Sequence, residues 1–312
     1  MHASYVIRRL LQIIPTFLAV MLVVFLLVRL LPGDPASAIL GDRATAEIVE
    51  RTNRELGLDK PLPVQFGVFV RNFLQGDLGD SISLKIPVIR LIGERLPTTL
   101  FLTVYAAVLG VLMAVPLAVL AAVRRNTWVD ALIRAVFQVG LSLPVFYVAL
   151  QLLSLLGARL GWFPIGGYGE GFGGHLYHLF LPALTLGLNL AAILVRTLRN
   201  SIIEVLTAEY VDFARAKGLR SRVIMTRHVL RNALIATVTL LGLNIGALIG
   251  GAVITETVFA IPGVGRLMVD AIFGRDYPVI QGLTLTFAII VSLVFLITDL
   301  IHARLDPRAE LT

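Results

Sequence analysis

At 312 residues, with 57% of them hydrophobic and only 15% charged, the chain is too poor in charge for a soluble protein, where roughly a quarter of residues are charged. The mean hydropathy of +0.87 points to lipid as its main solvent. The absence of cysteine excludes disulfides, thiol nucleophiles and cysteine metal sites, and the net charge of +7 has to be placed before it can be read as a nucleic-acid signal.

A span needs about 20 mostly apolar residues, and six runs meet this without an Asp, Glu, Lys or Arg. They are Leu10–Val28, Leu100–Val123, Ala135–Ala158, Leu176–Val195, Asn232–Thr255 and Tyr277–Thr298. The fold class read from them is an all-α polytopic membrane protein with six transmembrane helices. Pro15, Pro116, Pro144 and Pro182 fall in these runs, as membrane helices tolerate. The first run follows Arg8 and Arg9 as a secretory signal does, yet no small-residue cleavage site follows and five more runs do. It reads as a retained anchor.

With both termini on the cytoplasmic side, the inner segments carry a net charge of +8 and the outer ones −1. The first outer loop alone holds nine basic residues, but it exceeds the ~60 residues above which the positive-inside rule weakens. The two short outer loops hold only Arg159, Arg266 and Arg275. The orientation is therefore N-in and C-in, and the positive charge belongs to the cytoplasmic face rather than to a nucleic-acid site.

In the long outer loop, "TAEIVERTNRELG" reads as a polar helix stopped by Gly57. "PVQFGVFVRNFL" sets Phe66, Phe69, Val70 and Phe73 at helical spacing, suited to a helix in the membrane interface. "IPVIRLIGERLP" reads as a third short helix opened by Pro87. Either these helices cap the outer face or a substrate-delivering protein docks on them. After the third run, "GGYGEGFGGHLYH" mimics a phosphate loop, but no Lys-Ser/Thr follows it, and it reads as a flexible outer loop. His175 and His178 are one turn apart without a third ligand, which favours interfacial histidines over a metal pair.

Polar residues within the runs are few: Gln138, Ser142, Gln151, Asn189 and Asn244 are the candidates to line a solvated path, with Ser154 and Thr185 beside them. The alternative is that they bond between helices. No ionisable group falls at mid-depth. In the fifth run Gly242, Gly246 and Gly250 make two small-xxx-small steps. These serve either internal packing or a tight contact near the path and a partner subunit.

Between the fourth and fifth runs lies a basic segment, "EYVDFARAKGLRSRVIMTRHVLRN". "IIEVLTAEYVDFARAK" reads as one helix with Ile203, Leu206, Tyr210, Phe213 and Ala214 broadly on one face. Its acids Glu204, Glu209 and Asp212 precede Arg215 and Lys217, as the helix dipole favours. Gly218 is the left-handed stop, and Ser221 is placed to cap a second helix.

"YVDFARAKGL…RHVLRNAL" resembles the cytoplasmic signature loop of permease subunits of bacterial ATP-binding-cassette importers. The likeness is to the peptide and nickel branch, specifically the first, B-type permease of dipeptide and oligopeptide systems. "LPGDPA", "LGLDKPLPVQ", "GDLGDSI", "ERLPTTL", "GGAVITETVFAIPGVGRL", "RDYPVIQG" and "LDPR" extend it over nearly the whole chain. Aligned on Gly218, the general Glu-Ala-Ala pattern falls on Asp212, Phe213 and Ala214, with Leu230 matching and His228 and Arg231 departing.

The resemblance implies a type I importer permease fold of the bacterial inner membrane. It divides the chain into a tail and first span (1–31), an extracytoplasmic loop (32–97) and a permease core (98–312) with a coupling loop at 199–231. Asp212, Ala214, Arg215, Ala216, Lys217, Gly218, Leu219, Arg220 and Ser221 would contact an ATPase. The implied partners are a C-type second permease, two ATPase subunits of D and F type, and an extracytoplasmic binding protein. No Walker A pattern occurs in the chain, so ATP and Mg would be bound by the partners and this chain would be non-catalytic. Dipeptides, oligopeptides, glutathione-like peptides and nickel chelates are all substrates of such permeases. An intramembrane enzyme would need a zinc or nucleophile constellation that is absent from the sequence. A secondary transporter would be expected to show mid-depth ionisable groups or internal repeats.

Overall fold

A computed structural model describes residues 3–30 and 60–305. The "TAEIVERTNRELG" and "LPGDPA" segments, and nearly all of the terminal "LDPR", lie outside the described residues. Among the described residues the secondary structure is helical, apart from an isolated bridge between Asp80 and Pro87. Helix α1 spans Ala3–Leu30 and α2 spans Leu62–Leu74, with a proline in its first turn. Phe66 and Phe69 of α2 meet Phe25 of α1 at ring separations of 5.3 and 5.8 Å, and Phe73 meets Phe17 at 5.3 Å. The aromatic face of α2 is thus turned onto α1.

Helix α3 runs unbroken from Val88 to Val123. The expected short helix after Pro87 is therefore its first turns, because the helix continues through Pro97. Its 36 residues reach about 54 Å, well beyond a ~30 Å hydrocarbon core. The third apolar run, expected as one helix, is two: α4 (Trp128–Ser142) and α5 (Val145–Leu152), the latter continuing as a π-helical turn over Leu153–Arg159. They bend by 105°. The break falls where Pro144 disfavours helical backbone at the residue before it, and Leu143 is extended with ψ 133°.

The glycine segment is ordered, which corrects the flexible-loop expectation. It forms α6 (Gly171–His178), with the Tyr168 ring stacked on His175 at 3.8 Å and Gly167 N–H donating to the Phe259 carbonyl at 3.3 Å. A Cβ at Gly166 would sit 2.5 Å from that same carbonyl, so the close approach needs glycine. Helix α7 (Phe180–Leu206) follows. It crosses α3 where Gly187 faces Gly110, a Cβ on Gly187 lying 3.0 Å from the Ala106 carbonyl oxygen.

Helices α8 (Glu209–Ala216) and α9 (Ser221–Val223), then a π-helical turn over Ile224–Val229, lead into α10 (Leu230–Val258). Helices α11 (Val264–Phe273) and α12 (Tyr277–Leu305) complete the described chain. Helices α3, α7, α10 and α12 each contain a stretch long and apolar enough to span, and the bent α4–α5 pair passes the same test together. α1 carries the apolar segment Ile14–Leu27.

The buried side chains fall into three groups along the bundle. The central one is shared by α3, α7 and α10, with Leu102, Leu186, Leu190, Leu194 and Leu248 at its heart. One end is closed by Val88, Ile92, Leu267 and Leu283 from α3, α11 and α12. The other is closed by Ala118, Leu198, Ile202, Val211, Ile224 and Val229, which bind the α8 region to α3 and α7.

Candidate functional site

The basic segment folds as an elbow. The expected single helix is interrupted at Thr207 and Ala208, where the Thr207 hydroxyl turns back to the Glu204 carbonyl at 2.8 Å and Ala208 takes extended backbone. Helix α8 then buries Val211 and Ala214 against Leu198, Ile202, Ile224 and Val229. Its inward face therefore lies one step around from the one the apolar spacing suggested: Ala214 is buried, whereas Tyr210 and Phe213 are exposed, Phe213 at 67%. Burying two small side chains lets α8 lie flat, and the aromatic rings are left on the outer surface.

Gly218 ends α8 at φ +76°. Its N–H reaches the Arg215 carbonyl at 2.9 Å, and the Leu219 N–H reaches the Ala214 carbonyl at 3.3 Å. These are the two bonds of a Schellman stop. Arg220, not Ser221, takes the capping position before α9, and no side chain caps there; Ser221 is the first helical residue. Asp212 and Arg215 pair across the exposed side at 2.9 Å, while Lys217, Leu219, Arg220 and Ser221 are all exposed. The Asn232 amide donates to the Tyr210 hydroxyl at 2.9 Å and so ties α8 to α10. The result is a projection with aromatic and cationic groups outward.

Beneath the elbow lies an ion pair that sequence reasoning missed. Asp130 of α4 is fully buried. Both its oxygens accept from Arg199 of α7, from Nε and Nη2 at 2.6 Å each, and it also accepts from the Asn126 N–H at 3.1 Å. The only signal was Asp130 standing as the single acid in a basic loop.

The polar residues of the spans divide into separate places. Asn189 of α7 and Asn244 of α10 line one small pocket with Val145, and Asn244 also donates to the Leu240 carbonyl at 2.8 Å. Gln138 lines a different pocket, between α4 and α7. The Ser142 hydroxyl bonds back to the Gln138 carbonyl at 3.0 Å, and Gln151 is exposed on α5. The glycine row divides too. Side chains at Gly242 would collide with Thr298, and Gly246 faces Val291 and Phe295, so both serve packing against α12; Gly250 meets nothing within 4 Å. Among the described residues no three His, Asp or Glu side chains converge as a metal site.

Two further polar clusters close the opposite end of the bundle. The fifth apolar run stopped at Thr255, but α10 continues and carries Glu256, which is fully buried. Its carboxylate accepts from the Thr99 hydroxyl and, at 3.0 Å, from the Arg266 N–H, while Thr99 accepts from the Val264 N–H at 2.9 Å. Gly263 and Gly265 are needed here, because a Cβ on either would run into Glu256. Asp276 accepts from the Ser81 hydroxyl at 2.5 Å and from the Ile82 and Ser83 N–H groups at 3.1 and 3.0 Å. Burial alone would raise its carboxyl, but these hydrogen bonds outweigh it and hold the group below the ordinary aspartate range. "GDLGDSI" thus meets "RDYPVIQG" through Asp276, and "ERLPTTL" meets "GGAVITETVFAIPGVGRL" through Glu256.

Comparison with known proteins gives a consistent picture. The family described as binding-protein-dependent transport system inner membrane component matches residues 114–311, and its N-terminal companion matches 2–103. The glutathione transport system permease protein GsiC of Pectobacterium atrosepticum is 43% identical over 304 residues, covering 97% of this chain and 98% of its own. GsiC of Escherichia coli K12 is 41% identical with the same coverage. Among solved structures, an inward-facing MetNI methionine ABC transporter aligns with TM-score 0.60 at 19% identity, over 69% of this chain and 96% of its own. An amino acid ABC transporter solved with histidines gives 0.55 at 16%, over 69% and 94%. At these identities the structures speak for the fold alone.

Proposed function

The chain belongs to the family of binding-protein-dependent transport system inner membrane components, and from that premise we propose that it imports glutathione or a short peptide, driven by ATPases seated on the α8 elbow. It is a multi-pass inner-membrane permease of the peptide and nickel branch of ABC importers. The proposed topology has six spans, α1, α3, the bent α4–α5 pair, α7, α10 and α12, with both termini and α8 on the cytoplasmic side. Charge placement supports it, since the segments then inside carry the positive excess.

The observation that carries the coupling role is the elbow itself: Tyr210, Phe213 and Leu219 exposed beside Arg215, Lys217 and Arg220 on a helix whose own core is already filled. An apolar and cationic ridge of this kind suits a groove on another subunit. The permease makes and breaks no covalent bond. ATP and Mg are assigned to two partner ATPases of D and F type, the second half of the pathway to a C-type permease, and solute delivery to an extracytoplasmic binding protein. The elbow would move with the ATPases as they close around nucleotide, and the spans would follow between outward- and inward-open arrangements.

The test is uptake of labelled glutathione by the importer assembled from this chain and its co-expressed neighbours. Arg215→Glu with Lys217→Glu, or Gly218→Pro, should abolish uptake while this chain remains in the membrane. Normal uptake and normal ATPase association in these variants would sink the coupling assignment. The solute is checked by calorimetry on the binding protein, where preference for a nickel chelate over glutathione and dipeptides would redirect the substrate.

A further inference from the structure

Between α4 and α7 lies a pocket of about 440 Å³ lined by Arg134, Phe137, Gln138, Leu141, Val195 and Arg196 among others. That volume is in the range of small-molecule sites, ~300–1,000 Å³. We infer that it is a transit site for a carboxylate-bearing solute, with Arg196 as the residue that selects for the negative charge. The inference rests on the import reading above and adds to it a place and a charge preference.

Three observations carry it. First, among the described residues Arg196 has no hydrogen-bond or ion-pair partner, although it belongs to a helix apolar enough to span. It is the first residue past the apolar run Leu176–Val195 and is exposed, so its charge stands at the water-facing end of the span, where a solute can meet it. Second, the local charge is uncompensated. The nearby carboxylate, Asp130, is engaged on both oxygens by Arg199 at 2.6 Å, which leaves Arg134 a longer 3.3 Å approach and a guanidinium 55% exposed. The pocket thus presents two cations and no free anion. Third, it opens beside the 105° break after Ser142. Broken backbone at membrane depth persists only where protein covers it or water fills a cavity.

The remaining lining fits the rest of a small solute. Phe137, Leu141 and Val195 offer apolar contact, and Gln138 supplies a donor and an acceptor for an amide. Arg196 can bind a carboxylate through two parallel N–H groups, a geometry that lysine does not reproduce.

The experiment compares uptake of labelled alanyl-alanine with that of its C-terminal amide, which carries no carboxylate. It uses the assembled importer in vesicles made with and without phosphatidylglycerol. Discrimination by the binding protein is common to all variants, so it cancels when the acid-to-amide ratio is compared between wild type and Arg196→Gln. The ratio should fall at least tenfold in Arg196→Gln, the scale of one charge-assisted hydrogen bond, and should recover in part in Arg196→Lys. An unchanged ratio overturns the assignment while leaving import intact. An unchanged ratio with a lost response to phosphatidylglycerol overturns it in favour of a lipid headgroup. Uptake that survives a catalytic substitution in the partner ATPase overturns the import reading instead, and the ratio still reports on the pocket.

Discussion

The carboxylate of Asp276 accepts one hydroxyl and two backbone N–H groups from residues nearly 200 positions earlier, and Asp276→Asn separates the value of that charge from its shape. An amide has one accepting oxygen where the carboxylate has two. The Ser81 hydroxyl, which already accepts from the Leu84 N–H at 2.9 Å, can rotate to accept from the new amide nitrogen. Either Ile82 or Ser83 N–H then faces a donor and is orphaned, at about 1–3 kcal/mol. The surviving bonds also lose their charge assistance, from ~1.5–3 to ~1 kcal/mol each. A loss near 2–3 kcal/mol would open the 81–85 turn roughly 30- to 140-fold more often, at about 1.4 kcal/mol per decade.

Hydrogen exchange of the Ser81–Lys85 segment, expressed as protection relative to intrinsic rates, measures this directly. The pH dependence gives a second arm. A carboxyl held below its ordinary range contributes stability that is present above its unfolded-state value and lost as pH falls through the folded one. Protection in the wild type should therefore be flat from pH 7 to 5 and decline only below the ordinary aspartate value near 3.8, whereas Asp276→Asn should show no such decline. Equal protection in the two proteins at pH 7 would refute the argument.

The two ends of the glycine row should behave differently in thermal unfolding in nanodiscs. Gly242→Ala forces a methyl into Thr298 and should cost about 1–3 kcal/mol, while Gly250→Ala meets open space and should stay within ~0.5 kcal/mol or gain from helix propensity. Asp130→Ala strands Arg199 and should cost about 3–5 kcal/mol; adding Arg199→Leu should restore part of it, and a double variant no better than the single one would contradict a buried pair. At the elbow, Gly218→Ala meets no atom and pays only the left-handed backbone, about 1–2 kcal/mol. Uptake should survive Gly218→Ala and Gly218→Asn but not Gly218→Pro.

What the sequence made legible is what depends on composition along one helix. Apolar runs identified α3, α7, α10 and α12, and Gly218 announced the elbow, because hydropathy and positive backbone angles are local properties. The break at Pro144 was visible as a proline, yet membrane helices often carry proline unbroken, as α3 does at Pro97 and Pro116. Deciding between the two needs the neighbours. The inward face of α8 was misjudged because Tyr210 and Phe213 are apolar, and apolarity alone cannot distinguish a core from a surface kept for a partner. Asp130, Glu256 and Asp276 fall outside the apolar runs and their partners lie 69, 157 and about 195 residues away, so neither hydropathy nor local spacing could pair them. Separation along the chain likewise hid that Asn189 and Asn244 line one pocket.

Helix α7 meets the backbone of α3 at Gly187, where a Cβ would sit 3.0 Å from the Ala106 carbonyl oxygen, and that contact divides its length unequally. From Gly187 to Leu206 is about 29 Å, and from Gly187 back to Phe180 about 10 Å, at 1.5 Å per residue. A stiff helix bearing on such a point is a lever with arms near three to one. A 3 Å swing at the elbow would return as a counter-swing of about 1 Å beneath the glycine cap. Large strokes at the elbow would then become small, forceful ones at the Phe180 end. Arg196, about 13 Å along the long arm, would sweep through an intermediate arc.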